Sequence, residues 1–143
     1  MNNWKVIALA FIDDFGKVLL NHRIDTRSVG DGFWELVGGT IEKDELPEIA
    51  MVREVYEEVG YKLDEVTDEL RFVKKYEFAN KDRFYEVYFF IAKFPGFDAL
   101  SDSDEVKVVD LKLYSVEQAL QLPLLPVTKL ILEEGSDLWS MKS

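Results

Sequence analysis

The chain contains no cysteine and a single histidine, His22, in 143 residues. The first absence excludes disulfides and thiolate metal sites. The second removes zinc sites built on two or three histidines and leaves a Ser-His-Asp triad dependent on one residue. Any metal must therefore be held by oxygen, which favours a hard cation such as Mg²⁺, Mn²⁺ or Ca²⁺. Positive charge is also scarce: 17 Lys and Arg stand against 28 Asp and Glu, a formal charge of −11. A surface so acidic repels nucleic-acid backbones unless its basic residues form a stripe. No stripe is visible, so polymeric nucleic acid is not an expected partner. Long apolar runs are missing as well. The longest, Val6 to Ile12, falls far short of the ~20 residues that span a bilayer, and no membrane partner is expected. Residues Met1 to Lys5 offer neither the basic nor the apolar part of a signal peptide, which makes a cytoplasmic protein the expectation.

What is present suits one compact domain, residues 1–143, with 48% hydrophobic residues to fill its core. A chain of this size buries roughly 70% of the surface its unfolded form exposes. Residues Lys5 to Ile12 and Lys17 to Asn21 are β-rich around the turn residues Asp13 to Gly16 and predict an N-terminal hairpin. Gly30, Gly32, Gly38 and Gly39 bracket a short strand, Phe33 to Val37, in the most irregular part of the sequence. A helix follows at Pro47 to Val59: Pro47 suits its first position, Glu48 its positive end and Gly60 the left-handed residue beyond it. Leu46 is a poor N-cap. Arg71 to Phe78 and Arg83 to Phe94 predict two long strands around a turn at Ala79 to Asp82. Glu105 to Leu113 predicts another strand, Ser115 to Gln118 a capping box, and Val127 to Glu134 a final helix. Strands flanked by two substantial helices pack most simply as an α/β/α sandwich around a mixed sheet.

The first helix carries Glu54, Glu57 and Glu58 on one face. Their mutual repulsion is small, about 0.2–0.5 kcal/mol per pair, and a solvated helix face tolerates it. The setting is more specific. From Gly39 the chain passes five residues to Glu45, then seven to Arg53-Glu54-Val55-Tyr56-Glu57-Glu58-Val59-Gly60-Tyr61. This resembles the box of the Nudix hydrolases, G-x5-E-x7-R-E-U-x-E-E-x-G-U with U a bulky aliphatic residue. Every fixed position matches, and the chance of an accidental match in this composition is on the order of 10⁻⁶. Two positions depart: Tyr61 takes the closing aliphatic place, and Val37 stands where many members have proline before the paired glycines.

The resemblance implies an α/β/α sandwich of the Nudix type and a Mg²⁺-dependent hydrolase, with Mn²⁺ as an alternative ion. Its substrate would be a small nucleoside diphosphate derivative or nucleoside triphosphate, cut at a phosphoanhydride bond. It implies Glu54 and Glu58 as metal ligands, Glu57 as a direct or water-mediated one, and the Gly39 carbonyl completing the shell. Arg53 would orient the glutamates through an ion pair with Glu45 or Glu57, and Glu54 is the favoured general base. A further family carboxylate from a later segment leaves Asp104, Glu105 and Asp110 as candidates, with Glu105 preferred. Similar proteins are frequently homodimers. The competing reading is a catalytically silent nucleotide sensor of the same fold, against which stands the intact set of glutamates. An acidic Ca²⁺ protein is weaker still, because no EF-hand loop is present.

Substrate contacts are less constrained. Arg23 and Arg27 are candidates for phosphates, weighed against exposed loop arginines. Gly38 and Trp34 are candidates at the substrate, as are Phe33 and Tyr85 for stacking on a base, although strand aromatics are usually core. Glu86 is expected at an edge or in solvent and His22 in packing. No Walker-type phosphate loop and no GxGxxG are present, which excludes the commonest alternative phosphate sites.

Overall fold

The computed structural model describes residues 2–23, 32–101 and 108–140. Its strands are β1 (Asn2–Ile12), β2 (Val18–Arg23), β3 (Trp34–Glu35), β4 (Val37–Thr40), β5 (Arg71–Asn80), β6 (Arg83–Lys93) and β7 (Val108–Tyr114). Its helices are α1 (Pro47–Val59), α2 (Val116–Ala119) and α3 (Pro126–Ser140). The strands form one mixed sheet, ordered β3-β2-β1-β6-β5, with β4 joined to β1 and β7 to β2. Central β1 runs parallel to β6 from Asn2↔Arg83 to Ile12↔Lys93, and the other pairings are antiparallel.

Alternation along β1 sets the layers. Ile7, Leu9 and Phe11 pack with Ala50, Met51, Val55 and Val59 of α1, whereas Ala8 and Ala10 face Ile131 and Leu132 of α3. A strand buried on both faces reads as a continuous apolar run, which is why Val6 to Ile12 looks as it does. The sheet between two helical layers is the expected sandwich. Among the described residues no helix is long and apolar enough to cross a membrane.

Several boundaries differ from expectation for identifiable reasons. The β1–β2 hairpin pairs only beside its turn, at Ile12↔Val18. Beyond that point β1 pairs with β4 over Val6 to Leu9 and β2 pairs with β3 at Asn21 and His22. Residues 34–40 are thus wedged between the diverging strands. The single strand predicted at Phe33 to Val37 is divided at Leu36, whose N–H donates to the Thr128 hydroxyl (3.1 Å) and so leaves the ladder. The β5–β6 turn is tighter than predicted, because Asn80 and Arg83 still pair and Lys81 takes the left-handed conformation (φ 59°). The last helix extends past Glu134, and β7 starts at Val108, with residues 105–107 outside the described part.

Helix α1 matches its predicted limits. Leu46 supplies no side-chain cap, and the Gly60 N–H closes the helix on the Tyr56 carbonyl with φ 65°. Its start is therefore held by packing and Pro47 rather than by a capping oxygen.

Candidate active site

Helix α1 runs against the macrodipole rule at its end. Its last turn carries Glu57 and Glu58 and no basic residue, although carboxylates are unfavourable near a helix C-terminus. A local rule broken without a structural gain marks a functional position.

The compensating cation is Arg53. Its guanidinium donates to Glu45 through Nε (2.8 Å) and Nη2 (2.9 Å), to Glu54 Oε1 through Nη1 (2.8 Å) and to Glu57 Oε2 through Nη1 (3.1 Å). A further bond reaches the Thr40 carbonyl (3.0 Å). One planar fork thus ties the helix face to the end of β4 and to the loop carrying Glu45, a task lysine cannot perform. Glu45 also receives the Glu42 N–H (2.9 Å). The bond from Arg53 is the chief cause that lowers its pKa from 4.5 to about 2. Arg53 itself is pushed above its ordinary value, mainly by Glu45. Glu54 moves the other way: burial raises its pKa against the opposing pull of Arg53.

Glu58 is the deepest carboxylate of the helix, 4% exposed. Its Oε2 accepts the Gly38 N–H (2.9 Å) and its Oε1 faces the Asn21 amide (3.5 Å). The carboxylate of Glu54 lies so close to Gly39 that a Cβ added there would overlap it. The glycine pair therefore brings bare backbone against two acidic side chains.

This donor set fits a hard divalent ion: oxygen ligands only, two of them on carboxylates drawn against a backbone cradle without side chains. Among the described residues no three acidic or histidine side chains already converge into a cation cage. The geometry explains this, since Arg53 holds Glu45, Glu54 and Glu57 while Glu58 turns to Gly38 and Asn21.

On the opposite side of β4 lies a cavity of about 370 Å³, bounded by Gly38, Gly39 and Thr40, by Trp4, by Phe78, Asn80, Arg83 and Tyr85 of the β5–β6 hairpin, and by the start of α3 including Thr128. Phe78 and Tyr85 stack at 5.1 Å with 21° between planes, and the Arg83 guanidinium sits 4.9 Å from the Trp4 ring centre. The Trp4 Nε1 is buried without a hydrogen-bond partner.

The structure thus brings together Gly38, Gly39, Glu45, Arg53, Glu54, Glu57 and Glu58. Trp34 is not among them. It is 7% exposed in the α3-side core, stacked on His22 at 4.6 Å and edge-on to Tyr114 at 5.3 Å. The structure thus places Trp34 in packing between His22 and Tyr114 and does not bring it to the glycine pair. Asp110 pairs with His22 across β2–β7 and with Lys112 (3.5 Å). It alternates with Leu111 and Leu113, which pack on the α1 side, so it lies on the other face from the glutamates. Glu86, expected at an edge or in solvent, lies instead on β6 between β1 and β5 and is ion-paired to Lys75 (2.7 Å). Arg27, Asp104 and Glu105 lie outside the described residues, and the Arg23 backbone pairs with Val108 at the end of β2. The cavity wall was missed apart from Tyr85. Its signal was the turn: a two-residue turn at Lys81-Asp82 pairs Phe78 with Tyr85, whereas the predicted four-residue turn does not.

A mixed sheet sandwiched by helices, with an acid-rich helix held by one arginine over a glycine pair, is the arrangement that the resemblance to the Nudix hydrolases implies. The model of the NUDIX domain matches residues 1–134, and the chain belongs to the Nudix family. It is a pyrophosphohydrolase of that family. Nucleoside triphosphatase NudI of Escherichia coli O139:H28 is 34% identical over 111 residues, covering 73% of this chain and 74% of that protein. The same protein from Shigella flexneri matches equally well. Among solved structures, the E. coli ORF135 protein superposes with a TM-score of 0.76 at 30% identity, covering 98% of this chain and 93% of that one. The MutT protein of Methanosarcina mazei Go1 has a TM-score of 0.76 at 20% identity, covering 98% and 96% respectively, a likeness of fold.

Proposed function

We propose that the chain hydrolyses nucleoside triphosphates at a phosphoanhydride bond, using Mg²⁺ held by Glu54, Glu58, Glu57 and the Gly39 carbonyl. The observation that carries this reading is the arrangement at β4. Carboxylates crowd its glycine pair from α1, and a base-sized cavity opens on its other side. The similarity to NudI nucleoside triphosphatases supports the triphosphate class. A divalent ion bound there neutralises phosphate oxygens and lowers the pKa of water at the site.

The chain's own residues do the rest. Glu54, its pKa raised by burial, accepts the proton of the attacking water. The water oxygen bonds to phosphorus as the bridging P–O bond breaks and its electron pair leaves with the departing phosphate. Arg53 keeps Glu54 and Glu57 in register through its anchor on Glu45. The Phe78–Tyr85 stack, Trp4 and Arg83 form a wall for a nucleobase. Base stacking on such aromatics is worth about 1–3 kcal/mol.

The test is turnover of a panel of nucleoside triphosphates, nucleotide sugars and dinucleoside polyphosphates with Mg²⁺ and with Mn²⁺, products resolved by chromatography. The expected result is metal-dependent release of two phosphorylated products from triphosphates, falling by at least about 10³-fold in Glu58→Gln. Unchanged turnover in that variant overturns the assignment. Ligand-induced thermal stabilisation without turnover of any compound points to a sensor instead.

A further inference from the structure

Alternation places Asn21 where the fold calls for an apolar side chain. Val18 and Leu20 fill the α3-side core and Leu19 the α1-side core, so Asn21 falls on the α1 side. It is 1% exposed. An amide sunk there costs about 1–3 kcal/mol unless its polar atoms are satisfied, and a leucine would pack the position without that cost. Its surroundings suggest what the amide does. Nδ2 faces Glu58 Oε1 at 3.5 Å, while the Gly38 N–H holds Oε2 of the same carboxylate at 2.9 Å. Directly across the β2–β3 ladder stands Glu35, itself only 9% exposed. Asn21 therefore sits beside two buried acids. A donor is wanted toward Glu58, and a carboxylate at this place would add a third like charge. Asparagine supplies the donor without charge.

We propose that Asn21 is a positioning residue that fixes the orientation of the Glu58 carboxylate for a divalent ion. The inference rests on the assignment of Glu58 as a ligand. Groups that orient metal ligands from behind commonly change affinity 10- to 100-fold when removed. The effect belongs to ion binding and not to the nucleobase wall, which lies on the other side of β4.

The probe is Mn²⁺ alone, titrated into the protein by calorimetry without nucleotide, with thermal unfolding recorded on each variant. Asn21→Leu keeps the branching and the number of heavy atoms and removes the amide. Asn21→Thr keeps a donor hydroxyl on a strand-compatible side chain. Glu58→Gln reports on the ligand assignment itself. We expect Asn21→Leu to weaken Mn²⁺ binding roughly 10- to 100-fold with an unfolding midpoint equal to or above that of the parent. Asn21→Thr should recover part of the loss. In turnover assays the metal concentration for half-maximal rate should rise, while the nucleotide KM at saturating metal moves less than about threefold. Mn²⁺ affinity unchanged in Asn21→Leu overturns the inference, provided Glu58→Gln still loses binding. If Glu58→Gln binds as the parent does, the metal assignment falls and the inference with it. Should Asn21→Leu not fold, Asn21→Ala decides: a loss of Mn²⁺ affinity of roughly 10- to 100-fold supports the positioning role, and parental affinity overturns it.

Discussion

The two adjacent glycines of β4 should fail in different ways when each is replaced by alanine. Gly38 is paired with Ala8 on central β1, and a Cβ there would land on the Ile7 carbonyl oxygen. That obstacle is backbone of a strand flanked on both edges, so it cannot step aside. Overpacking of this kind costs about 1–3 kcal/mol, and alanine's lower unfolded-state entropy returns only about 0.4–1 kcal/mol. A net loss of about 1–2 kcal/mol in a domain of this size lowers the unfolding midpoint by roughly 3–8 °C. At Gly39 the three atoms nearest an added Cβ all belong to the Glu54 carboxylate, the far end of a flexible side chain that Arg53 holds. Glu54 swings away, and stability changes by no more than about 0.5 kcal/mol. Turnover should nevertheless fall by about 10²-fold or more, because a displacement near 1 Å of a reacting group is enough for that. Calorimetry and a phosphate-release assay on both variants suffice. Gly39→Ala with turnover within threefold of the parent would refute the role given to Glu54, and Gly38→Ala melting like the parent would refute the tight β1–β4 approach.

Arg53→Ala should destabilise by about 2–3 kcal/mol, less than the 3–5 of a fully buried pair because its side chain is 24% exposed. The deficit should shrink when Mg²⁺ replaces chelator, since the ion neutralises the same carboxylates; equal deficits in both conditions would argue against a shared role. Arg53→Lys should recover little stability, because a single ammonium cannot bridge Glu45, Glu54 and Thr40 together, and full recovery in thermal unfolding would contradict the bidentate account. Tyr61 donates to the buried Asp68 (2.6 Å), and burial together with that bond pushes its pKa from 10 up to about 12. Since the folded-state value is the higher one, this contribution is present below pH 10 and fades as pH rises toward 12. Absorbance titration at 295 nm should therefore lose one late-titrating tyrosine in Tyr61→Phe, with Tyr76, also raised by burial, remaining; an unchanged late phase would disprove the assignment. Tyr85→Ala should raise the nucleotide KM by roughly 10-fold or more through lost stacking with little change in metal dependence; an unaltered KM would place the base elsewhere.

What could be read before the fold was known follows from where each constraint acts. Helix α1 and its glutamates were legible because the box spacing is local: Pro47, Gly60 and the Arg53 to Glu58 run lie within a few turns of one another. The two-sided apolar run of β1 likewise announces a central strand. Phe33 to Val37 reads as one strand because nothing nearby reveals Thr128, whose hydroxyl takes the Leu36 N–H from 92 residues away in sequence. Trp34 was open to two readings for the same reason, since His22 and Tyr114 meet it only through pairing of β2 with β3 and β7. Asn21 carried no signal as a single polar residue on a short strand, and acquires meaning only beside Glu58.

The glycine pair gives the site its economy. One face of Gly38 and Gly39 receives Glu58 and Glu54 from α1, and the other bounds the cavity formed by Trp4, the β5–β6 hairpin and α3. A side chain at either position would separate the α1 carboxylates from the cavity by at least the thickness of a methyl group. With none, the charged end and the base of one substrate can lie against opposite sides of the same stretch of backbone. The position that tolerates proline in related boxes is Val37 here, fully buried on the α1 side. Rigidity at that entry to the glycines therefore comes from packing against α1 rather than from a locked backbone angle. Shortening Val37 to alanine should accordingly loosen the placement of both carboxylates together, lowering turnover and Mn²⁺ affinity in step, beyond the about 1–2 kcal/mol of stability expected from the lost methyls alone.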